Sequence, residues 1–180
     1  MSADSAESLP AYTDSMAMIP LVEPARNEYL AELERKGKNN FFRMMAHKPE
    51  VLKNFVPLYG AIMGPGAADR RTKELVYLAV SFANECAYCL AAHRASAKKA
   101  GITEEEMRAM ETEQYQNFSE PERAAIQYAR ELTAEASGNE SGEALYKNFN
   151  DEQVVEITLV AAMANFTNRF NNGLGVQPEK

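Results

Sequence analysis

The decisive stretch of this sequence is Glu74–His93, which reads ELVYLAVSFANECAYCLAAH. It contains both cysteines of the 180-residue chain, Cys86 and Cys89, and one of its two histidines, His93. An α-helix turns by about 100° per residue, so on one helix these three side chains would lie within an arc of roughly 60°. The spacing therefore predicts a helix face that presents two thiols and an imidazole.

Outside this stretch, the sequence predicts one helix after another and no convincing strand, so we expect an all-α fold. Asn84 is predicted to be the N-cap of a helix that starts at Glu85 and ends before Gly101. Two capping boxes, Thr103–Glu106 and Ser119–Glu122, predict further helix starts. The other predicted helices are 27–36, 41–47, 49–63, 72–83, 120–136, 144–149 and a last one from 150 or 151 to about 170.

The last predicted helix contains the run Val154–Phe166, which is apolar nearly all round. Such a helix is buried on most sides, and in a chain of this size we expect that burial to need a partner subunit. Residues 1–24 are polar and interrupted by proline, and we interpret them as an N-terminal arm that could pack on a neighbouring subunit. Residues 25–180 are then one helical domain.

Charge and hydropathy exclude several classes of protein. The net charge of -7 at pH 7 argues against binding to nucleic acid, because phosphates attract a basic surface. The sequence has no run of eighteen apolar residues, so no membrane-spanning helix is predicted. The first residues lack the pattern of a secretory signal, and we expect a cytoplasmic protein. In a reducing compartment, two cysteines this close together indicate redox or metal chemistry before a structural disulfide.

The residues of the stretch suit thiol chemistry. Cys86 follows the predicted N-cap by two residues, where the positive end of a helix lowers the pKa of a thiol. Cys86 and Cys89 can close and reopen a disulfide, and the imidazole of His93 can accept a thiol proton. Glu74 precedes Cys86 by twelve residues, about 18 Å along one straight helix. A turn at Ala83–Asn84 would instead place two helices side by side, so that Glu74 could orient His93.

The pattern Glu-x11-Cys-x-x-Cys-x-x-x-His, formed by Glu74, Cys86, Cys89 and His93, resembles the motif of the carboxymuconolactone decarboxylase and alkylhydroperoxidase D (AhpD) family. Weaker similarity covers about residues 40–176. The resemblance implies an AhpD-like helical bundle that assembles as a homo-oligomer, a trimer or a hexamer. No cofactor is expected.

The same resemblance implies a role for each residue. Cys89 would attack a peroxide as the thiolate, Cys86 would resolve the sulfenic acid to a disulfide, and an external dithiol would restore both thiols. Glu74 and His93 would relay protons. These roles conflict with the helix-dipole argument, which favours Cys86 as the thiol of lower pKa. AhpD itself also has a histidine between the cysteines, where this chain has Tyr88. We treat Tyr88 as an auxiliary site residue.

Three alternatives stay open. An enzyme of the carboxymuconolactone decarboxylase type, acting on a small aromatic-derived acid, would share the fold, but such enzymes generally lack the paired cysteines. A zinc site could use the same four side chains, although three ligands on one helical arc are awkward for a tetrahedron. A non-catalytic oligomeric redox sensor would use the dithiol alone. On a purely structural interpretation, the cysteines are small buried hydrophobes and Glu74 is an ordinary paired or surface carboxylate.

Overall fold

A computed structural model describes residues 17–179 of the chain. Within these residues the fold is all-α, as predicted, and no β-strand occurs. The helices of this part are α1 (Glu28–Leu33), α2 (Asn40–Met45), α3 (Pro49–Met63), α4 (Arg70–Ala83), α5 (Ala87–Lys99), α6 (Glu104–Glu111), α7 (Glu120–Glu135), α8 (Gly142–Asn148) and α9 (Asp151–Leu174). Short 3-10 helices, Pro24–Arg26 and Glu34–Lys36, flank α1. No helix in residues 17–179 has the length and apolar character needed to span a bilayer.

Helix α4 is the centre of the bundle. It packs against α5, α7 and α9, and its ten consecutive residues Thr72–Ser81 are all buried. Two of these residues are charged, and buried charges need partners. The Lys73 ammonium donates to the carbonyl of Ile62 at 2.9 Å and to the carboxylate of Glu156 at 2.6 Å. The site residue Glu74 therefore lies in the middle of the core and not at the surface.

Helix α9 packs against α3, α4, α5, α7 and α8, but part of its apolar run is exposed in the single chain, so its cover by a partner subunit stays a prediction. Val155, Leu159 and Phe166 share a stripe of α9 and are 60%, 45% and 48% exposed. On α3, Val51 and Leu58 are also exposed, and both line a groove together with Phe166. We call these five residues the α3–α9 apolar face.

The connection between α4 and α5 differs from the prediction. Asn84 is the C-cap of α4, and Cys86 is the N-cap of α5. Glu85 adopts the left-handed conformation with a φ of 51°, and backbone hydrogen bonds join Glu85 N to Phe82 O and Cys86 N to Ser81 O. This is a Schellman motif. The sequence does not predict this motif, because a glutamate occupies the position where a glycine normally marks such a turn.

The capping boxes at Thr103 and Ser119 are confirmed, and a third begins α9 at Asn150. Helix α9 runs four residues beyond its predicted end and closes at Gly175, which has a φ of 63°. Of the predicted N-terminal arm, residues 1–16 lie outside the described part. Residues 17–24 lie on α2 and the end of α9 of the same chain, with Met18 N donating to Leu174 O at 2.9 Å and the Arg43 guanidinium donating to Val22 O at 3.0 Å.

Candidate active site

The Schellman turn places the two thiols against each other at the start of α5. Cys86 is fully buried and Cys89 is 2% exposed. The Cys86 sulfur accepts a hydrogen bond from the backbone N–H of Cys89, and the two Sγ atoms are 2.6 Å apart. The cysteines therefore do not lie on one helix face as predicted. Cys86 precedes the helix as its cap, and Cys89 belongs to its first turn.

This arrangement favours Cys89 as the more acidic thiol, as the family resemblance implies, and opposes the helix-dipole argument, which favours Cys86. The hydrogen bond from Cys86 lowers the pKa of Cys89, although burial opposes it. The same hydrogen bond raises the pKa of Cys86, and burial adds to that effect. Because the first turn of α5 contains Cys89 itself, the positive end of the helix also favours the Cys89 thiolate. Cys89 is therefore the more acidic thiol of the pair, and Cys86 is the thiol that donates to it.

Helix α9 supplies a further hydrogen bond to the Cys89 sulfur. Asn171 Nδ2 donates to Cys89 Sγ at 3.3 Å. The side chains of Asn171, Asn168 and Thr167 all lower the pKa of Cys89. All three are buried, and of the three only Asn171 has its hydrogen bond directed at the sulfur, because Asn168 donates to Ser81 Oγ and Thr167 to backbone carbonyls of α9. From sequence alone, neither Thr167 nor Asn171 was assigned a role.

Glu74 and His93 are in direct contact. Glu74 Oε2 accepts a hydrogen bond from His93 Nδ1 at 2.8 Å. On its other side, His93 Nε2 is 3.0 Å from the hydroxyl of Tyr59. A carboxylate only accepts hydrogen bonds, so the proton of the neutral imidazole lies on Nδ1, and Nε2 accepts from Tyr59. Glu74, His93 and Tyr59 thus form a hydrogen-bonded chain that ends at a phenol.

The charge of Glu74 is well supported despite its complete burial. Ser96 Oγ donates to Glu74 Oε1 at 2.6 Å, and Arg70 forms an ion pair with the same oxygen at 2.5 Å. Burial raises the pKa of this carboxyl. The hydrogen bonds from His93 and Ser96 and the charges of His93 and Arg70 outweigh that effect, so the pKa is lowered overall. Glu74 is therefore ionised and can hold His93 in one orientation.

Two tyrosines that the sequence analysis missed surround His93. The ring of Tyr77 stacks on the imidazole with centroids 3.6 Å apart and an interplanar angle of 14°. Its hydroxyl is 2.5 Å from Thr167 Oγ1, one of the residues that contact Cys89. Burial and the Glu74 charge raise the pKa of Tyr59, so this phenol keeps its proton. Tyr59 lies well before the cysteines in sequence, and Tyr77, although it is within the Glu74–His93 stretch, lies on a different helix from Cys89 and His93. Helical spacing therefore indicated neither residue.

Cys89 and His93 open onto one cavity of about 100 Å³. Most of its wall is aromatic, and the polar groups on the wall are few. The lining residues are Asn39, Phe41, Phe42, Phe55, Tyr59, Tyr77, Tyr88, Cys89, Ala92, His93, Thr167 and Asn171. Cys86 is absent from this wall and lies behind Cys89. A small ligand in the cavity would thus meet the Cys89 thiolate first.

Tyr88 lines the cavity with its ring, but its hydroxyl is engaged elsewhere. It accepts a hydrogen bond from the Phe41 backbone N–H at 3.2 Å and donates to the Glu179 carboxylate at 3.0 Å. Burial, and the negative charge of Glu179, raise the pKa of Tyr88. The hydroxyl therefore joins the C-terminal segment to the start of α2.

The four residues considered as zinc ligands are arranged for other contacts. Both nitrogens of His93 already have partners, Glu74 and Tyr59. Within residues 17–179, no three His, Cys, Asp or Glu side chains converge in a way that could hold a metal ion. The site is therefore built as a thiol pair beside a hydrogen-bonded carboxylate, imidazole and phenol.

Residues 49–131, which include α3, α4 and α5, match the sequence model of the carboxymuconolactone decarboxylase family. This part of the chain is therefore similar to that family. A protein of similar sequence is the uncharacterized protein YdfG of Bacillus subtilis (strain 168), which is 29% identical over 111 residues, 59% of this chain and 76% of that protein.

Solved structures share the same fold. A peroxidase-related protein from Ralstonia eutropha JMP134, described as an alkylhydroperoxidase AhpD core, superposes with a TM-score of 0.78 at 24% identity over 90% of this chain and 92% of its own. The debrominase Bmp8, in complex with 2,3,4-tribromopyrrole, gives a TM-score of 0.78 at 21% identity over 91% and 94% of the two chains. At these identities the two structures establish the AhpD-like fold. Family and fold together support an enzyme with a general antioxidant or carboxymuconolactone decarboxylase-like function.

Proposed function

We propose that this protein is a thiol-dependent peroxidase that uses Cys89 and Cys86 as its redox pair. One observation carries the proposal: Cys89 Sγ lies on the wall of a small aromatic cavity while Cys86 Sγ lies 2.6 Å behind it. A low-pKa thiolate beside a resolving thiol is the arrangement that reversible thiol oxidation requires. The peroxidase-related description of the Ralstonia eutropha neighbour supports the same chemistry.

In the first step the Cys89 thiolate attacks the terminal oxygen of a hydroperoxide. The O–O bond breaks, the hydroxyl is transferred to sulfur, and an alkoxide leaves. The proton that leaves the Cys89 thiol is held on His93 Nε2 as an imidazolium, whose charge Glu74 stabilises through the 2.8 Å hydrogen bond. Tyr59 donates its own proton to the alkoxide and takes the proton of His93 Nε2 in its place, which returns His93 to the neutral state. The products are Cys89 sulfenic acid, an alcohol and neutral His93.

In the second step the Cys86 thiol attacks the sulfenic sulfur of Cys89. An S–S bond forms, and the sulfenic oxygen leaves as water with the Cys86 proton. The short distance between the sulfurs makes this step faster than further oxidation of the sulfenic acid. An external dithiol then reduces the disulfide by exchange and is itself oxidised.

A second candidate reaction is suggested by the likeness to the debrominase Bmp8, whose complex contains 2,3,4-tribromopyrrole. The same dithiol could remove bromine reductively from an aromatic ring. In that reaction an aryl bromide and two thiols give the arene, a disulfide, bromide and a proton. Bromide release from tribromopyrrole should therefore be measured beside peroxide reduction.

The decisive experiment treats the reduced protein with one equivalent of hydroperoxide and then measures free thiols and intact mass. The wild type should lose two thiols and about 2 Da, the two hydrogens lost in forming one disulfide. Cys86→Ser should accumulate a sulfenic acid that dimedone traps on Cys89. Cys89→Ser should give no such adduct. Unchanged thiols and mass in the wild type would refute the peroxidase, and bromide release under matched conditions would then favour dehalogenation.

A further inference from the structure

The side-chain oxygen of Asn171 is a buried polar atom without a partner. Asn171 is 2% exposed and lines the cavity next to Cys89. Its Nδ2 donates to Cys89 Sγ, but its Oδ1 accepts no hydrogen bond from any group in residues 17–179. A buried acceptor left unpaired costs roughly 1–3 kcal/mol, and a donor bound in the adjoining cavity would remove that cost.

The orientation of this amide follows from the sulfur. A thiolate accepts hydrogen bonds and repels an oxygen, so the nitrogen of the amide faces Cys89 and the oxygen faces away from it. The remaining groups near the sulfur do not compete for that oxygen. The Tyr59 hydroxyl is paired with His93 at 3.0 Å, and the Tyr77 hydroxyl with Thr167 at 2.5 Å. The donor that Oδ1 requires must come from the bound molecule.

We infer that Asn171 recognises the substrate, and that its Oδ1 accepts a hydrogen bond from the O–H of a hydroperoxide held against Cys89. This inference rests on the proposed peroxidase function and narrows its substrate class. One amide then contacts both reacting atoms, with Nδ2 on the sulfur and Oδ1 on the hydroxyl of the oxygen under attack. As the O–O bond breaks, that hydroxyl stays on sulfur, so the same oxygen holds the sulfenic acid for Cys86. Electrophiles without an O–H donor gain nothing from Asn171 Oδ1.

Two variants separate the donor from the acceptor. Asn171→Asp has nearly the same shape, loses the donor to sulfur and keeps an acceptor oxygen. Asn171→Leu loses both. For each protein, the rate of Cys89 oxidation by hydrogen peroxide is compared with its rate of modification by methyl methanethiosulfonate, which has no O–H or N–H group. Both rates are measured across pH and expressed per thiolate, so that a change in the pKa of Cys89 cancels.

In the wild type and in Asn171→Asp, the ratio of the two rates should agree within about twofold, although the Cys89 pKa rises in the variant. In Asn171→Leu the ratio should fall about tenfold, the effect of one lost hydrogen bond to the substrate. An unchanged ratio in Asn171→Leu, or an equal fall in both variants, overturns the inference but does not affect the proposed peroxidase function. If the wild type reacts with the thiosulfonate but not with hydrogen peroxide, the proposed peroxidase function itself is wrong.

Discussion

Glu74 and His93 are nineteen residues apart in sequence, and Nδ1 of His93 donates to Oε2 of Glu74 at 2.8 Å. The contact exists because α4 and α5 fold back on each other at the Schellman turn. With its oxygens occupied by His93, Ser96 and Arg70, the carboxylate holds Nδ1 of the imidazole in place. The other ring nitrogen, Nε2, contacts Tyr59, so the orientation of His93 decides where the proton chain ends.

Glu74→Gln should slow peroxide reduction strongly while the chain stays folded. The amide keeps the shape of the carboxylate but removes the charge that stabilises the imidazolium. General acid–base assistance contributes typically 10²–10⁴-fold, so we expect a fall of about 10² in kcat/KM. The rate of peroxide-dependent oxidation of an external dithiol measures kcat/KM. Glu106→Gln removes a carboxylate paired with Arg71 away from the cavity and is the control. Equal losses of kcat/KM in the two variants would mean that Glu74 has only a structural role.

The reactivity of Cys89 should persist to lower pH than that of an ordinary thiol. Its pKa is lowered, first by the Cys86 hydrogen bond and then by the α9 side chains, so the thiolate is present below the usual thiol pKa of 9.0. As pH falls through the Cys89 pKa, the sulfur takes up a proton and the rate falls. Iodoacetamide labelling against pH gives the midpoint. Asn171→Leu, which removes the donor 3.3 Å from Cys89 Sγ, should move that midpoint upward, and a downward move would contradict the assignment.

Tyr88→Phe should loosen the C-terminal segment and leave the chemistry largely intact. The hydroxyl contacts Phe41 N and Glu179, not the sulfurs. Its loss leaves a buried N–H unpaired, and we expect the free energy of unfolding to fall by about 1–2 kcal/mol. Denaturant unfolding and hydrogen exchange of residues 175–179 measure both effects. Tyr146→Phe, at a residue 67% exposed, is the control. A large loss of peroxidase activity would instead make Tyr88 part of the proton chain.

Substrate size should be limited by the aromatic wall. The cavity of about 100 Å³ is smaller than the roughly 150 Å³ cavity that holds a benzene ring. Hydrogen peroxide should therefore react faster with Cys89 than cumene hydroperoxide does. Phe42→Ala enlarges the cavity and should raise the rate with cumene hydroperoxide relative to hydrogen peroxide. Phe149→Ala lies outside the cavity wall and should leave that ratio unchanged. An unaltered ratio in Phe42→Ala would show that peroxides reach the sulfur by another route.

The α3–α9 apolar face should be covered by a second copy of the chain in solution. Exposed apolar side chains that form a continuous surface indicate a protein interface, and family resemblance led us to expect a homo-oligomer. Leu58→Asp together with Leu159→Asp should shift the chain to monomers in light scattering. Lys147→Glu on α8 changes an exposed charge elsewhere and should leave the mass unchanged. A wild-type protein that is already monomeric would contradict the expectation.

Sequence reasoning failed at particular places for identifiable reasons. Asn84 has the side chain of a good N-cap, but it is the C-cap of α4, because Glu85 adopts the left-handed conformation and ends that helix. The backbone hydrogen bonds of a Schellman motif do not depend on a glycine, so the sequence did not reveal this turn. The end of α9 was placed too early, although Gly175 marks it. Tyr59 and Asn171 stand in apolar or amide-rich stretches where nothing in their neighbourhood indicates chemistry.

By itself, the sequence determined the all-α class, the capping boxes and the Cys-x-x-Cys-x-x-x-His pattern with Glu74 at its distance. The capping boxes and the spacing of Cys86, Cys89 and His93 depend on residues three or four apart, and such short-range interactions are visible in the order of the chain. Only the tertiary structure decided which thiol is acidic and which residues surround it. That outcome depends on exclusion of water and on hydrogen bonds such as Asn171 to Cys89, between residues 82 positions apart. No local spacing predicts a contact that exists only after α9 has packed against α5.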